Sequence, residues 1–379
     1  MKFRVERESL ADAVAWTAKS LPARPPVPVL AGVLLETDND RLTVSGFDYE
    51  VSSQMGVDVQ TDTPGRVLVS GRLLAEITRA LPNHPVELEA DEARAEIVCG
   101  TARFTLPTMP VEDYPTLPEM PTVAGAVDAD EFATSVAQVV VAAGKDDTLP
   151  VLTGVRLELE GDRLTLLATD RYRLAVRELT WRPGAPDVSQ HALVPARTLS
   201  DTARAMSSGT EVTLALSQGT TGEGLIGFSG AGRRTTTRLL DGQFPPVRSL
   251  FPDSHAIQAK VPTATMIEVV KRVSLVAERN TPVRLAFTSG MLTVEAGGTE
   301  DARASESTDA VFDGEDIEIA FNPQFLLDGL NALGTEVAVL SCTTPLKPAV
   351  LTGEEADAES KPVNESAYRY LLMPVRVSQ

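Results

Sequence analysis

Histidine and cysteine are scarce in this sequence, 3 and 2 among 379 residues. His84, His191 and His255 stand beside Pro, Gln and Ser in turn-like contexts and share no metal-ligand spacing, so neither a metal centre nor a cofactor is expected. Cys99 and Cys342 lie far apart in the chain. A reducing compartment would leave them unpaired, and both read as small buried apolar side chains. Basic residues are outnumbered, 34 Lys and Arg against 53 Asp and Glu, for a formal charge of -19. Bulk attraction to nucleic acid or anionic membranes is thereby excluded, and any DNA contact must come from a local patch. Long apolar runs are missing as well. The longest, Val136 to Ala143, is broken by Gln138, whereas a membrane span needs about 20 residues. The opening Met1-Lys-Phe-Arg-Val-Glu-Arg alternates charge with apolar groups and lacks a secretory h-region, so a cytoplasmic location is expected. Aromatic residues make up 5% of the chain, which leaves Val, Leu and Ala to build most of the core.

Catalytic signatures are absent too. There is no Gly-x-x-x-x-Gly-Lys-Ser/Thr phosphate loop, and the Gly-rich stretch Gly219 to Gly232 lacks a strand-to-helix setting; it reads as a solvated hairpin loop. Ser229 follows Gly227 but is succeeded by Thr-rich strand, so it is no nucleophile elbow. A chain this acidic can bring two carboxylates together, but acids scattered over solvent faces are the commoner arrangement. Nothing in the sequence names an enzymatic activity.

What is present is a long repeat. Val29-Leu-Ala-Gly-Val-Leu-Leu-Glu36 returns as Val151-Leu-Thr-Gly-Val-Arg-Leu-Glu158 and, more weakly, as Thr281-Pro-Val-Arg-Leu-Ala-Phe-Thr288. Each copy precedes a turn and a second strand: Arg41-Leu-Thr-Val-Ser45, Arg163-Leu-Thr-Leu-Leu167 and Met291-Leu-Thr-Val-Glu295. Leu42, Leu164 and Leu292 are equivalent, at intervals of 122 and 128 residues, and Val33, Val155 and Val283 share the same intervals. A strand leading into an amphipathic helix also recurs, from Val67, Ala192 and Ile317. Ser70 and Asn322 are candidate helix caps, and Leu73, Leu74, Ile77 and Leu81 supply one buried face. A period near 125 is far longer than the roughly 20 to 45 residues of a solenoid unit, so each repeat is a domain. The expected domains are 1–125, 126–256 and 257–379, each α+β with antiparallel sheets, joined through the Pro-rich stretches Tyr114–Pro121 and Phe244–Pro252.

Four separated motifs then point to a family. Met1-Lys-Phe-Arg-Val-Glu-Arg-Glu8, Leu21-Pro-Ala-Arg-Pro-Pro-Val-Pro-Val-Leu30, Ala168-Thr-Asp-Arg-Tyr-Arg-Leu-Ala-Val176 and Tyr370-Leu-Leu-Met-Pro-Val-Arg376 together resemble the bacterial DNA polymerase III beta subunit, the sliding clamp. The resemblance spans essentially the whole chain, and Asp147-Thr-Leu-Pro-Val-Leu-Thr-Gly154 looks like the actinobacterial branch. It implies three repeated clamp domains per chain and a head-to-tail homodimeric ring around double-stranded DNA. Helices would line the hole and antiparallel sheets would face outward. The implied role is a non-enzymatic replication processivity factor. Such a ring holds DNA topologically, which reconciles an acidic protein with a DNA partner.

The resemblance also implies sites. Positive groups on or beside the inner helices would be Arg24, Arg72, Arg79, Arg197, Arg204, Lys271 and Arg272, meeting phosphates without regard to sequence. A peptide-binding groove between domains two and three would capture DNA polymerase III alpha subunit, the clamp loader, other polymerases and repair proteins. Carried over by motif, it comprises Leu152, Thr169, Arg171, Tyr172, Arg173, Leu174, Pro245, Leu250, Leu346, Pro348, Leu371, Met373, Pro374, Val375 and Arg376. At the subunit edge, Phe104 and Leu106 would face Leu275 and Val276 on a helix of domain three, with Arg103 near Glu300, Asp301 and Glu306. Two departures stand out: Phe244-Pro-Pro-Val-Arg-Ser-Leu250 where clamps carry a basic or aromatic run, and two prolines in Cys342–Ala349. They leave room for an alternative, a duplicated clamp specialised for repair or for escaping a pocket-directed antibiotic.

Overall fold

A computed structural model of the chain describes residues 1–217, 224–252, 254–278, 281–297, 302–355 and 366–376. Six α-helices occur among the described residues: α1 (Arg7–Ala18), α2 (Gly71–Ala80), α3 (Ala129–Val140), α4 (Ala196–Met206), α5 (Thr263–Val273) and α6 (Pro323–Leu333). None is long and apolar enough to cross a membrane.

The repeat seen in the sequence is a repeat of β-hairpins. Strands Gly32–Asp38 and Arg41–Phe47 pair antiparallel from Leu34↔Ser45 to Asp38↔Arg41. Asn39 and Asp40 close the turn at φ 45° and 58°, the left-handed pair that a two-residue hairpin requires and that short polar side chains tolerate. The second and third copies close at Gly161 (φ 56°) and Gly290 (φ 83°), between pairs Glu160↔Arg163 and Thr288↔Met291. Leu42, Leu164 and Leu292 are all 0% exposed, as are Val33, Val155 and Val283. The same two positions are thus buried in all three copies of the hairpin.

The chain divides into two compact units, one of 1–132, 182–185 and 201–239, the other of 133–181, 186–200 and 240–379. The second repeat contributes to both. In the first unit a fourteen-stranded antiparallel sheet runs through two repeats. Strand Val51–Asp58 of the first repeat pairs with Arg233–Arg238 of the second, from Val51↔Thr237 to Met55↔Arg233. The second unit holds a nine-stranded and a four-stranded sheet. There Arg173–Thr180 of the second repeat pairs with Tyr368–Leu372 of the third, from Arg173↔Leu372 to Arg177↔Tyr368.

The core of the first unit gathers Leu10, Ala13 and Val14 of α1 with Leu74 and Ile77 of α2 and the hairpin valines and leucines. A Cβ at Gly71 would stand 2.3 Å from Leu21 Cδ1 and 2.6 Å from Val33 Cγ2, so only glycine admits the start of α2 this close to the sheet. Leu73 departs from the expected face: it is exposed, because the buried line runs through Gly71, Leu74, Ile77 and Thr78, one step around the helix. Ser70 makes no side-chain cap, whereas Asn322 Oδ1 accepts from Gln324 N (2.9 Å) and Phe325 N (3.2 Å). Of the stretch read as a loop, residues 218–223 lie outside the described residues. Leu225–Gly230 is a strand between Glu211–Leu216 and Arg233–Arg238. Cys99 and Cys342 are free and buried. Cys99 Sγ donates to Pro82 O and His84 O, both at 3.3 Å, and burial pushes the Cys342 thiol up to about 11.

Candidate functional site

The second unit contains a cavity of about 580 Å³ assembled from three pieces of chain: the loop after α3, the turn before strand Arg173–Thr180, and the first turns of α6. The loop is drawn into shape by Gly144 N donating to Leu152 O (2.7 Å) and Leu152 N donating to Leu149 O (2.9 Å). Asp146 Oδ1 accepts from Thr148 N (3.0 Å) and Thr148 Oγ1 (2.7 Å). These hydrogen bonds, followed by the charge of Arg171, hold its carboxyl below the usual range. In the turn, Asp170 Oδ1 accepts from Tyr172 N (3.0 Å) and Arg173 N (3.1 Å), with Arg171 left-handed at φ 81°. An aspartate that satisfies two successive N–H groups is a standard turn-former.

Arg173 ties the turn to α6. Its side chain is 4% exposed, yet Nε donates to Asp170 Oδ2 (2.9 Å) and Nη1 to Asp328 Oδ2 (2.6 Å) and Tyr370 Oη (3.3 Å). Burial disfavours its charge, but Tyr370, Asp328 and Asp170 outweigh that and raise its pKa. Tyr370 Oη donates to Phe325 O (2.9 Å), and burial raises that phenol in turn. The ring of Tyr370 approaches α6 this closely because Gly329 has no side chain: a Cβ there would be 2.4 Å from Tyr370 Cε1. Gln324 Nε2 donates to the other Asp328 oxygen at 2.7 Å. Apolar faces complete the cavity: Leu149, Leu152, Phe325 and the half-exposed Tyr172, whose ring stacks on Phe325 at 6.3 Å.

Of the motif-derived groove residues, Leu152, Arg171, Tyr172 and Arg173 line this cavity, and the rest do not. Thr169, Leu174 and Leu371 are buried. Leu174 and Leu371 pack in one core with Leu167, Val176, Leu193, Phe244, Val247 and Val350, so they are core rather than surface, and Thr169 Oγ1 is spent on Arg173 O (2.7 Å). Arg173 is likewise no free cation. Leu250, Leu346, Met373 and Val375 are exposed apolar groups, Arg376 is exposed, and Pro245, Pro348 and Pro374 are half-buried. Arg173, Leu372 and Ala349 share one row of the sheet, which places Tyr172, Leu346 and Met373 at the same end; Met373 N donates to Tyr172 O at 2.9 Å. Leu250 sits in a short turn whose Arg248 is ion-paired to Glu158, itself held by Arg156 at 2.8 Å. Phe325, Gln324, Asp328, Asp170 and the loop residues Lys145, Asp146 and Leu149 were not expected. The only sequence signal for Phe325 was its place three residues after the Asn322 cap.

Five of the seven expected DNA-facing cations are exposed and make no ion pair among the described residues: Arg24, Arg72, Arg79, Arg197 and Arg204. Arg72 Nη2 donates to Pro22 O (3.3 Å), at the loop that carries Arg24. Arg72 and Arg79, and likewise Arg197 and Arg204, are seven apart and so share one side of α2 and α4. Lys271 and Arg272 are different. Lys271 meets Glu268 (3.4 Å), and Arg272 meets Glu268 (3.7 Å) and Glu306 (2.7 Å), so the charge of α5 is compensated in place. Glu306 is thereby engaged within its own chain rather than waiting for Arg103. Among the edge residues, Leu275 is 84% exposed, but on a 3-10 turn (Ser274–Val276) beyond α5; Val276 is half-buried. Phe104 and Arg103 are exposed, while Leu106 is buried with Ala95 and Ile97 in its own core and offers no surface. Glu300 and Asp301 lie outside the described residues. No three His, Cys, Asp or Glu side chains converge among the described residues.

Known proteins account for this arrangement. Residues 1–118, 126–246 and 248–368 match the N-terminal, central and C-terminal domains of the DNA polymerase III beta subunit. The beta sliding clamp of Streptomyces coelicolor is 60% identical over 379 residues, covering 100% of both chains. The beta sliding clamp homolog GriR of Streptomyces muensis is 45% identical over 378 residues, covering 99% of both. In structure, the Pseudomonas aeruginosa DnaN sliding clamp bound to griselimycin superposes with a TM-score of 0.89 at 27% identity, and the Bacillus subtilis clamp with 0.89 at 25%, each covering 100% of both chains. Three matched domains, full-length identity and shared architecture agree: the chain belongs to the family of bacterial DNA polymerase III beta subunits, the beta sliding clamps.

Proposed function

We propose that this chain is a non-enzymatic processivity factor of DNA replication acting in the cytoplasm. Two copies close head to tail into a ring around duplex DNA, and partner proteins are tethered through peptides docked at the Tyr172–Phe325 cavity and the exposed apolar end of the sheet beside it. The observation that carries this reading is the full-length match to beta sliding clamps in all three domains. A two-fold ring with self-complementary edges closes instead of growing into a filament. The exposed Leu275 and Phe104 supply the apolar centre of that edge, with the half-buried Val276 next to Leu275 and the exposed Arg103 next to Phe104. Arg24, Arg72, Arg79, Arg197 and Arg204 meet phosphates, with Lys271 and Arg272 contributing less because they are paired. A net charge of -19 suits a ring that holds DNA by encirclement and needs only weak local attraction to slide. Domain limits of 1–125, 126–256 and 257–379 accompany this reading.

The test is retention. Labelled protein is loaded by a clamp loader onto nicked circular duplex, which is then linearised. Stable residence on circles with rapid loss from cut ends is expected; equal behaviour on both forms overturns encirclement. The specialised-copy reading has less support, because the chain is more similar to the Streptomyces coelicolor clamp than to GriR. Failure to support a replicative polymerase in a primer-extension assay would reverse that preference.

A further inference from the structure

The longest apolar run in the sequence, Val136 to Ala143, is interrupted by Gln138. The interruption falls in the buried part of α3: Phe132, Val136 and Val139 are 0%, 1% and 0% exposed, and Gln138 itself is 8% exposed. A leucine or methionine would suit such a place. Gln138 Oε1 is buried and accepts no hydrogen bond among the described residues, and a bare amide oxygen costs stability. Packing therefore does not explain the residue. Its amide nitrogen does: Nε2 donates to Ala332 O (2.8 Å) and Leu333 O (3.4 Å) at the end of α6.

Helices α1, α2 and α5 close on their own backbone, with Lys19 N, Leu81 N and Ser274 N donating to carbonyls of the preceding turn. At the end of α6, two of the carbonyls that a helix leaves without an intrahelical partner are taken up by a side chain of another repeat. Reversing the amide would set oxygen against oxygen, so its orientation is fixed. A cavity of about 230 Å³ bordered by Gln138, Leu333 and Thr335 lies beside the contact, so on that side hydrogen bonds rather than packing hold the helix end. The equivalent position of the first repeat, 122 residues earlier, is Trp16; it is 6% exposed and its buried Nε1 has no hydrogen-bond partner among the described residues. The contact at Gln138 also closes a circuit. Tyr368 Oη donates to Gln138 O (3.0 Å), and Tyr370 Oη donates to Phe325 O (2.9 Å). The two tyrosines stand two apart on strand Tyr368–Leu372 and so share one face of it. One hydroxyl holds the first turn of α6, and the other holds the residue that caps its last turn. The helix is thus fixed at both ends.

We propose that Gln138 is a positioning residue of the peptide groove: by capping α6 from the second repeat it sets where Phe325 and Asp328 stand, although it does not line their cavity. This rests on the reading of the Tyr172–Phe325 cavity as a peptide groove. Asp328 lies one turn before Ala332, and Phe325 about two turns before Leu333. Releasing the cap lets the helix end open locally. The side chains of the cavity then sample more positions, and ordering them again weakens the docking of a peptide.

The experiment uses the full-length chain and a fluorescent peptide with Leu and Phe anchors, read by anisotropy, together with amide hydrogen exchange of α6 in the absence of peptide. Gln138→Met keeps the length of the side chain and removes the donor. Exchange in the last turn of α6 is expected to quicken about tenfold, and the peptide to bind about threefold to tenfold more weakly. Gln138→Glu keeps the shape but sets an acceptor against two carbonyls, so it should lose at least as much. In a Phe325→Ala background the factor for Gln138→Met should shrink to below about twofold, because the two residues act through one helix. Native exchange rates in α6 of both variants overturn the capping role. Unchanged peptide affinity in both, or the same factor with and without Phe325, overturns the positioning role while leaving the groove standing. No binding by the native chain overturns the groove and the positioning role together, and the exchange result then judges the cap by itself.

Discussion

Arg173 lies over the face of Phe325, its guanidinium carbon 4.3 Å from the ring centroid, so residues from two different repeats are clasped at the cavity. The stack and the two carboxylates share one buried cation. A cation–π contact gains weight when the pair is desolvated, and removing one partner of a buried charge costs more than the pair itself contributes.

Asp328→Asn preserves shape but leaves Arg173 with Asp170 alone. A loss of about 1–3 kcal/mol in unfolding free energy is expected, read by denaturant titration of the full chain. A change within error would mean that the Arg173–Asp328 contact contributes nothing net.

Glu158 responds to pH. Burial alone would raise its pKa, but Arg248 and then Arg156 prevail and hold it below the ordinary value of 4.5. A carboxylate whose folded pKa is depressed contributes its full stability above that ordinary value and loses it as the pH falls through the folded value. Melting temperature should therefore drop on the acid side of 4.5, and Glu158→Gln should flatten that limb. An acid limb of the same depth in the variant would assign it to other groups.

Neither thiol should react while the chain is folded. Cys99 is 0% exposed and Cys342 1%, and only the thiolate is an efficient nucleophile. With a Cys342 pKa near 11, an aromatic disulfide reagent at pH 8 should register no thiols in buffer and both in denaturant. Prompt modification in buffer would contradict the buried placement.

Leu275→Asp should yield monomers. At 84% exposure the side chain does little for its own fold, so the melting temperature should hold while dimer affinity falls by about thirtyfold or more. Sedimentation velocity across a concentration series separates the two effects, and an unchanged dimer sinks the edge assignment.

Arg24→Ala should weaken salt-sensitive contact with DNA without sequence preference, reducing the slope of log affinity against log salt by about one. Retention on circular DNA should survive. Loss of retention on circles would mean that attraction, not topology, holds the duplex.

The repeat interval made the three hairpins legible: Leu42, Leu164 and Leu292 were matched as equivalent positions by spacing, and all three are buried. Helix faces were less secure. On α2, Leu73 and Leu74 are one hundred degrees apart, and spacing alone did not identify the buried one; the packing of Gly71 against Leu21 and Val33 decided it. The groove was half legible. Arg171 and Tyr172 came from a contiguous motif, whereas Phe325 and Asp328 join them only because Tyr368–Leu372 pairs with Arg173–Thr180, a register that no local pattern encodes. The same limit explains Leu106, which resembles Phe104 in type and strand parity but meets Ala95 across the sheet inside the core.

The pairing of Val51–Asp58 with Arg233–Arg238, and of Arg173–Thr180 with Tyr368–Leu372, makes the repeat a unit of ancestry but not of autonomy. Excising the third repeat would strip Arg173–Thr180 of its neighbour and leave a bare row of N–H and C=O groups, the template on which chains aggregate. Each repeat thus owes part of its sheet pairing to a neighbouring repeat.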